Sequence, residues 1–312
     1  MVQISASRPP ALSLDELVRG LEHLPSAPRV LPRLKQLLRD GNSSMHQVVE
    51  LVRLDPGIAA RVLQFGNSAY FSRGLRCYTV DEAVNRVGYE QIYELVATAV
   101  ASQVLERPLA VYAMDADALW HNAIACALAA EALADRIQAD RNVAYTIGLL
   151  HGIGMVAIDD WAARNQPALR LVSQGLPLEF VESERAALGY HHAEAGAALL
   201  RLWEFPPVMT EPVRWQYLPN GTAVHFQLAA LLHVAKWIRS AVLDPSGSRP
   251  PSIAHLLGRM GLTPLHLNQL VEMVRARLKS IRLQLDLDQH LVSVRFPGGN
   301  RAIPQGGSGL GA

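Results

Sequence analysis

The stretch "GLLHGIGMVAIDD", residues 148–160, ends an apolar run on a histidine and follows it at once with a glycine. His151 comes four residues after Ile147 and one after Leu150, so a helix through these positions turns the imidazole toward the protein interior. Burying a polar ring without partners costs free energy, and an inward histidine therefore indicates a polar site. The next residue, Gly152, has no side chain to offer as a partner.

Three more histidines fall on helix faces that we expect to point inward. His121 opens "WHNAIACALAAEALADRI", His192 lies in "GYHHAEAGAALLRLW" and His233 lies in "FQLAALLHVAKWI", whereas His191 is expected to point to solvent. A single histidine on an apolar face is usually a satisfied core residue. Several on separate helices favour a shared site, because helical bundles hold metal ions with inward histidine and acidic side chains.

Composition excludes several classes of protein. The chain has 312 residues, half of them hydrophobic, and 29 basic residues against 28 acidic ones. This length supports one large or two medium domains, and the balanced charge argues against nucleic acid as a partner. Two cysteines make no disulfide framework. We found no signal peptide and no charge-free apolar run of membrane-spanning length, so we expect a cytoplasmic protein without a membrane partner.

The fold class predicted from the sequence is all-α. Helix starts are marked by capping residues at four places: Ser13, Asp55, Thr79 and Thr263. We predict an N-terminal leader helix in residues 1–23, an N-terminal helical half over 24–113 and a second helical half over 114–280. Alternating apolar residues favour a short β-hairpin over 281–296, and the glycine-rich residues 297–312 are typical of a flexible tail.

The ordered series of segments resembles a known family. "LPSAPRVLPRLKQLL", "LDPGIAARVLQFGNSAYF" and "CYTVDEAVNRVGYEQIYELVATAVA" resemble the HDOD domain. "WHNAIACALAAEAL", "GLLHGIGMVAI" and "GYHHAEAGAALLRLWEFP" resemble the HD superfamily of metal-dependent phosphohydrolases, which includes the HD-GYP phosphodiesterases. The resemblance runs from about Leu24 to about Val242. It implies a multi-helical fold in which the N-terminal half packs on a degenerate HD-like half.

The same resemblance implies where a metal site would lie and where this chain departs from it. A working HD site resembles a histidine, a His-Asp pair, a further histidine and a final aspartate around one or two metals. His121, His151 and His192 match the three histidines. The aspartate of the pair is Gly152 here, the final aspartate is Lys236, and the histidine pair of the HD-GYP proteins has no counterpart in "VRWQYLPNG".

These departures predict a vestigial site without metal or cofactor. Glycine supplies neither a charge nor a ligand, and at an intermediate dielectric a second positive charge about 4 Å away costs roughly 4 kcal/mol per unit charge. Without a metal there is no activated water for hydrolysis. We therefore expect a non-catalytic bacterial regulatory protein that binds signalling proteins or a small nucleotide.

Two alternatives stay open at this point. One is a metal-dependent phosphohydrolase or cyclic-di-nucleotide phosphodiesterase with unusual ligands. Such a site would hold a single transition metal, with His233 joining His121, His151 and His192 as ligands. The other alternative is a regulator that binds nucleic acid, and the balanced charge of the chain argues against it.

A second candidate site is the segment "QFGNSAYFSRG", residues 64–74. Polar and aromatic side chains here are candidates for a recognition loop: Asn67, Ser68, Tyr70, Phe71 and Arg73. The alternative, which we favour, is a structural turn in which Asn67 and Ser68 hydrogen-bond to nearby backbone groups.

Overall fold

The computed structural model is all-α, as predicted. It describes residues 13–19, 33, 34, 37, 43–72, 74–88, 91, 92, 108–171, 180–217, 225–243 and 253–295. Within these ranges the backbone forms no strand, and the only β-type pairing is an isolated bridge between Leu109 and Met114.

The described helices, in chain order, are α1 (Leu14–Arg19), α2 (Met45–Arg53), α3 (Pro56–Asn67), α4 (Ala69–Ser72), α5 (Val80–Val87), a 3-10 turn (Ala110–Tyr112), α6 (Ala116–Ile137), α7 (Arg141–Leu150), α8 (Ile153–Asn165), α9 (Val181–Leu188), α10 (His192–Leu202), α11 (Pro207–Arg214), α12 (Phe226–Leu243), α13 (Ala254–Arg259) and α14 (Pro264–Arg295).

The predicted capping residues start their helices. Asp55 accepts a hydrogen bond from the backbone N–H three residues on, at 2.9 Å, with proline at the first position of α3. Ser13 and Glu16 form a reciprocal pair, in which each side chain accepts from the backbone N–H of the other. Thr79 and Thr263 cap α5 and α14 through their hydroxyl groups. These bonds satisfy amide groups that have no partner within the helix.

The predicted hairpin over residues 281–296 is wrong, because α14 continues as a helix to Arg295. No glycine or proline stands between Pro264 and Pro297, and no turn dipeptide interrupts the run. Its leucine, arginine, lysine and glutamine residues are good helix formers, so propensity outweighs a short stretch of alternation. The predicted tail, residues 297–312, lies outside the described residues.

Helix α6 packs against α7, α12 and α14. Helices α6 and α7 approach closely at Gly148, where a Cβ would lie only 2.8 Å from the Cα of Ala127. Helices α7 and α8 together form an apolar stretch, Arg141–Asn165, long enough to cross a membrane by composition alone. Its most apolar window is 83% buried inside the fold, so core packing accounts for its apolar character.

An ion-pair network centred on Arg53 joins helices α2, α6 and α14. The guanidinium of Arg53, at the end of α2, lies 2.9 Å from the buried carboxylate of Glu131 on α6. It also lies 3.2 Å from the more exposed carboxylate of Asp81 on α5. It also lies over the ring of Tyr145 on α7, 4.1 Å from the centroid. Arg277 of α14 reaches the second oxygen of Glu131 at 2.8 Å. One buried carboxylate thus ties three parts of the chain together.

The crossing of α8 and α10 positions the candidate site. A Cβ on Gly154 would lie 1.9 Å from the carbonyl oxygen of His192 and 2.5 Å from the backbone nitrogen of Gly196. No side chain fits there, so the two helices touch through their backbones. This contact holds the start of α8, next to His151, against the start of α10.

The glycine at this crossing generates the first prediction. Gly154→Ala should lower the free energy of unfolding by about 3 kcal/mol or more, because the methyl group overlaps backbone atoms that cannot move independently. Urea unfolding monitored by circular dichroism measures the loss. Gly258→Ala in α13 is the matched control, since no atom lies near its Cβ position. Equal effects of the two changes would contradict the close crossing.

Candidate functional site

His151 lies at the C-terminal end of α7 and is 1% exposed. Its Nδ1 is 2.7 Å from the carbonyl oxygen of Gly148, and its Nε2 is 3.2 Å from Nη1 of Arg239. Arginine can only donate, so Nε2 accepts and Nδ1–H donates. Burial, reinforced by the charges of Arg239 and Lys236, holds the pKa of His151 well below its usual value. The imidazole is therefore neutral, with its proton on Nδ1.

Helix α12 contributes two buried cations to the site. Lys236 and Arg239 lie about one turn apart and are both almost fully buried. The second terminal nitrogen of Arg239 donates to the hydroxyl of Ser240 at 3.1 Å, and Nζ of Lys236 lies 3.0 Å from the ring centroid of Tyr217. The position at which the resemblance placed a final aspartate thus carries one positive charge, and a second lies three residues further on.

Two buried amide side chains complete the surroundings of His151. Nδ2 of Asn122, on α6, lies 3.5 Å from its Nε2. Nε2 of Gln216 donates to the backbone carbonyl of His151 at 3.0 Å and to that of Val213 at 2.9 Å. Gln216 belongs to the segment after α11 in which the HD-GYP histidine pair has no counterpart. It ties that segment to the end of α7.

His192 forms the middle of a second buried chain of hydrogen bonds. Its Nδ1 lies 2.8 Å from the carboxylate of Glu184, and its Nε2 lies 2.8 Å from the hydroxyl of Tyr217. Tyr112 donates to the same carboxylate at 2.7 Å. Burial opposes the charged form of Glu184, but His192 and these hydrogen bonds keep the pKa of the carboxyl below its usual value. Both ring nitrogens of His192 are occupied.

The other predicted histidines do not join this cluster. His121 is half-buried, with Nδ1 at 2.8 Å from the carbonyl oxygen of Asp117 and its ring edge-on to Trp120. His233 is also half-buried, and its Nδ1 lies 2.8 Å from the carbonyl oxygen of Gln216. Of the predicted histidines, the structure brings together His151 and His192.

His191, expected at the surface, is buried. It stands at the N-cap of α10, where its Nδ1 accepts from the backbone N–H of Glu194. The prediction was wrong because it placed His191 on a helix face, whereas α10 begins one residue later. Burial lowers the pKa of His191 to about 4.

Residues 24–219, more than half of the chain, match the sequence model of the HDOD domain. The chain belongs to the HDOD family. An uncharacterised protein of Treponema pallidum is 26% identical over 208 residues, which are 64% of this HDOD chain and 39% of that protein. The HDOD chain thus corresponds to about two fifths of that relative.

Two solved structures share the fold. The MmoQ response regulator of Methylococcus capsulatus has a TM-score of 0.64 at 23% identity, over 80% of the HDOD chain and 98% of MmoQ. A virulence factor of Campylobacter jejuni has a TM-score of 0.62 at 18% identity, over 81% and 94% of the two chains. At these identities the likeness establishes the helical architecture.

The donor set of this HDOD site does not fit a divalent metal ion. The Nε2 atom of His151 already accepts from a guanidinium. In His192, where Nδ1 is bonded to Glu184, the other ring nitrogen, Nε2, is already bonded to the hydroxyl of Tyr217. Among the residues that the structure describes, no three or more histidine, cysteine or acidic side chains are grouped to hold a metal. Two cations and two amides stand where ligands with lone pairs or negative charge are needed.

Gly152 leaves room in the site. A Cβ there would have one neighbour within 4 Å, Nδ2 of Asn122 at 3.6 Å, which is an ordinary van der Waals distance. The backbone φ is −94°, which any residue adopts. A Cβ atom at this position is therefore tolerated by its surroundings.

The polar residues of the recognition segment bond within the fold. Asn67 is buried and exchanges two hydrogen bonds with the backbone of Cys77, at 2.7 and 3.2 Å. The hydroxyl of Ser68 donates to the carbonyl oxygen of Phe65 at 2.7 Å. These bonds support the structural turn for the two polar residues.

Of the two predicted aromatic residues, Tyr70 is exposed and Phe71 is half-buried. Tyr70 is 84% exposed and lies edge-on to Phe71, with ring centroids 4.8 Å apart. Arg73 lies outside the described residues. Recognition through these aromatic rings stays a prediction.

Sequence reasoning missed several residues of the site: Tyr112, Asn122, Glu184, Gln216, Tyr217 and Arg239. Arg239 had a visible signal, since it follows Lys236 by three residues in "HVAKWIRS" and so lies on the same helix face. Asn122 directly follows His121 in "WHN". An error of one residue in the orientation of the helix therefore exchanges which of the two points inward. Glu184 and Tyr217 gave no signal in the sequence, because only the tertiary fold brings them to His192.

The contrast between His151 and His121 generates the second prediction. His151→Ala should lower the free energy of unfolding by about 2–4 kcal/mol, through the cavity and the buried donors left without partners. His121→Ala, the matched change at a half-buried ring, should cost less than about 1 kcal/mol. Urea midpoints of the two variants measure the difference. Equal losses would contradict the exclusion of His121 from the cluster.

Acid sensitivity is the third prediction. His151 and His191 stay neutral in the folded chain, whereas both take up protons near pH 6.5 on unfolding. The unfolded state then binds more protons, so stability should fall as pH drops from about 6.5 toward 4, by up to about 1.4 kcal/mol per pH unit for each histidine.

Urea unfolding between pH 7.5 and 5 tests this slope. His191→Asn keeps an N-cap acceptor but removes one titrating ring, and should make the pH dependence shallower. An unchanged slope in this variant would show that His191 titrates normally in the folded chain.

Proposed function

We propose that this HDOD chain is a non-catalytic regulatory module that acts by binding a signalling protein. The observation that carries the proposal is the hydrogen bond from Arg239 to Nε2 of His151. That atom is the one through which a histidine in this position would bind a metal, since its Nδ1–H is committed to Gly148. A guanidinium at 3.2 Å occupies the coordination direction.

Electrostatics supports the absence of a hydrolytic metal centre. A divalent ion about 4 Å from a single buried cation is destabilised by roughly 8 kcal/mol at an intermediate dielectric, twice the value for two unit charges. Lys236 adds a second cation to the same cluster. No carboxylate at position 152 offsets either charge. A water nucleophile would therefore lack the ion that activates it.

Exposed apolar residues support a role in binding another protein. Four large side chains within residues 65–78 are exposed: Phe65 by 44%, Tyr70 by 84%, Leu75 by 69% and Tyr78 by 38%. Aromatic residues are enriched in protein interfaces, and a group of them on the surface is typical of a docking site. The fold neighbours named a response regulator and a virulence factor are in keeping with a regulatory role.

Metal content and turnover test the non-catalytic part of the proposal, and this is the fourth prediction. The full chain, purified without metal-affinity resin, should contain substoichiometric manganese, iron and zinc by mass spectrometry. With added Mn²⁺ it should hydrolyse bis-p-nitrophenyl phosphate and cyclic di-nucleotides no faster than His151→Ala. One metal per chain, with hydrolysis that His151→Ala abolishes, would establish the phosphohydrolase alternative instead.

A gain-of-function variant serves as the positive control. Gly152→Asp, Lys236→Asp and Arg239→Gln together supply two carboxylates and remove both cations. Circular dichroism first establishes that the triple variant is folded. In a calorimetric titration it should then bind Mn²⁺ or Zn²⁺, whereas the unmodified chain should show no heat of binding. A folded triple variant without metal affinity would contradict the placement of the vestigial ligands.

Protein binding is the fifth prediction. The double variant Tyr70→Ser and Leu75→Ser should no longer capture proteins that the unmodified chain captures from the native cell. Both changes remove exposed apolar area within residues 65–78. Leu265→Ser, at a 65% exposed leucine of α14, is the matched control. Capture that survives the double change but is lost in the control would move the interface to α14.

A further inference from the structure

A cavity of about 300 Å³ lies between the C-terminal end of α6, the N-terminal part of α12 and helix α13. Among the residues that the structure describes, the apolar part of its lining consists of Ile137, Phe226, Ala230, Leu256 and Met260. This volume is at the small end of the range of about 300 to 1,000 Å³ that is typical of sites for small molecules.

The cavity has an apolar floor and a polar mouth. Ala230 and Leu256 are only 3% and 2% exposed. Gln227 and Arg259, which complete the described lining, are both exposed. A ligand in this cavity would therefore bury an apolar part against the floor and keep a polar group near solvent.

Arg259 is the one charged side chain in the described lining. Its guanidinium carbon lies 4.3 Å from the ring centroid of Phe226, so a cation–π contact holds the charge at the wall of the cavity. Within the described ranges of the chain, Arg259 forms no ion pair with a carboxylate and donates no hydrogen bond. A guanidinium has five N–H donors in a planar fork that matches a carboxylate. The cavity therefore presents a positive charge and unused donors to a ligand.

We propose that this cavity binds a small amphiphilic monocarboxylate, with octanoate as the probe. The apolar chain of the ligand packs on Ala230 and Leu256, and its carboxylate pairs with Arg259. The site is separate from the His151 cluster, because Lys236, the first cation of that cluster on α12, comes six residues after Ala230, about 9 Å further along the helix axis. The inference therefore goes beyond the proposed function and does not depend on whether the His151 cluster holds a metal ion.

Charge and polarity select this class of ligand. One cation in the described lining is balanced by one negative charge, and the amide of Gln227 adds a polar group at the same mouth. A nucleotide would bring a phosphate, a sugar and a polar base, which would leave the apolar floor without a matching surface. An acid with a short hydrocarbon chain matches both ends of the cavity.

Methionine methyl NMR locates the binding. The full chain, labelled with carbon-13 at the methyl groups of its seven methionines, should show a saturable shift of the Met260 signal on titration with sodium octanoate. The spectrum of Met260→Leu assigns that signal. The signal of Met209, a fully buried residue of α11, should stay unchanged. Octanoate that leaves the Met260 signal in place would overturn the proposal.

Two analogues test which chemistry the cavity selects. 1-Octanol has the same chain without the charge, and sodium butyrate has the same charge on a shorter chain. Both should need concentrations at least about tenfold higher than octanoate to shift the Met260 signal, since each lacks one of the two contacts. A response to either analogue at the same concentration as octanoate would overturn the assignment of an amphiphilic acid.

Two arginine variants test the role of the cation. Arg259→Gln, a change at an exposed position, should weaken octanoate binding about tenfold or more in a calorimetric titration and leave the response to 1-octanol unchanged. Arg214→Gln is the matched control, because Arg214 also lies over an aromatic ring, 5.1 Å from the centroid of Trp215, and this variant should bind octanoate as the unmodified chain does. Unchanged octanoate affinity in Arg259→Gln, or an equal loss in both variants, would overturn the proposal.

Discussion

The hydrogen bond from the Arg239 guanidinium to Nε2 of His151 determines what the rest of the site can do. It fixes the imidazole as a neutral ring, with its proton directed to the Gly148 carbonyl oxygen. A ring held in this way can neither ligate a metal through Nε2 nor act as a base toward a substrate. A cation thus occupies the direction in which Nε2 of His151 would bind a metal.

Two features of the fold hold helices in the part of the structure around that hydrogen bond. The backbone contact between Gly154 and Gly196 brings α8 against α10, which encloses His151 and His192 in one polar interior. The Arg53 network, with its buried Glu131, holds the N-terminal helices on α6 and keeps the central helix in place. The scaffold is that of an HDOD protein, and two buried cations, Lys236 and Arg239, lie within it.

Local physics predicted much of this structure, and long-range contacts account for what it missed. The caps at Asp55 and Thr79 and the all-α class follow from neighbours in the sequence, and so were foreseen. The hairpin was wrong because a brief alternation competes poorly with an uninterrupted helical run. His191 was misplaced because a one-residue error in a helix start changes a surface position into a cap. Glu184 reaches His192 only through the tertiary fold, which no local pattern encodes.

The tautomer and ligation state of His151 test the account most directly, and nitrogen-15 NMR of the histidine side chains reads both. The account predicts a neutral ring with its proton on Nδ1, unchanged from pH 7.5 to pH 5 and unaffected by added Zn²⁺ or Mn²⁺. The signal should change when Arg239 is replaced by methionine. An Nε2 resonance that shifts or broadens on addition of metal, or a ring that takes up a proton near pH 6.5, would contradict the account.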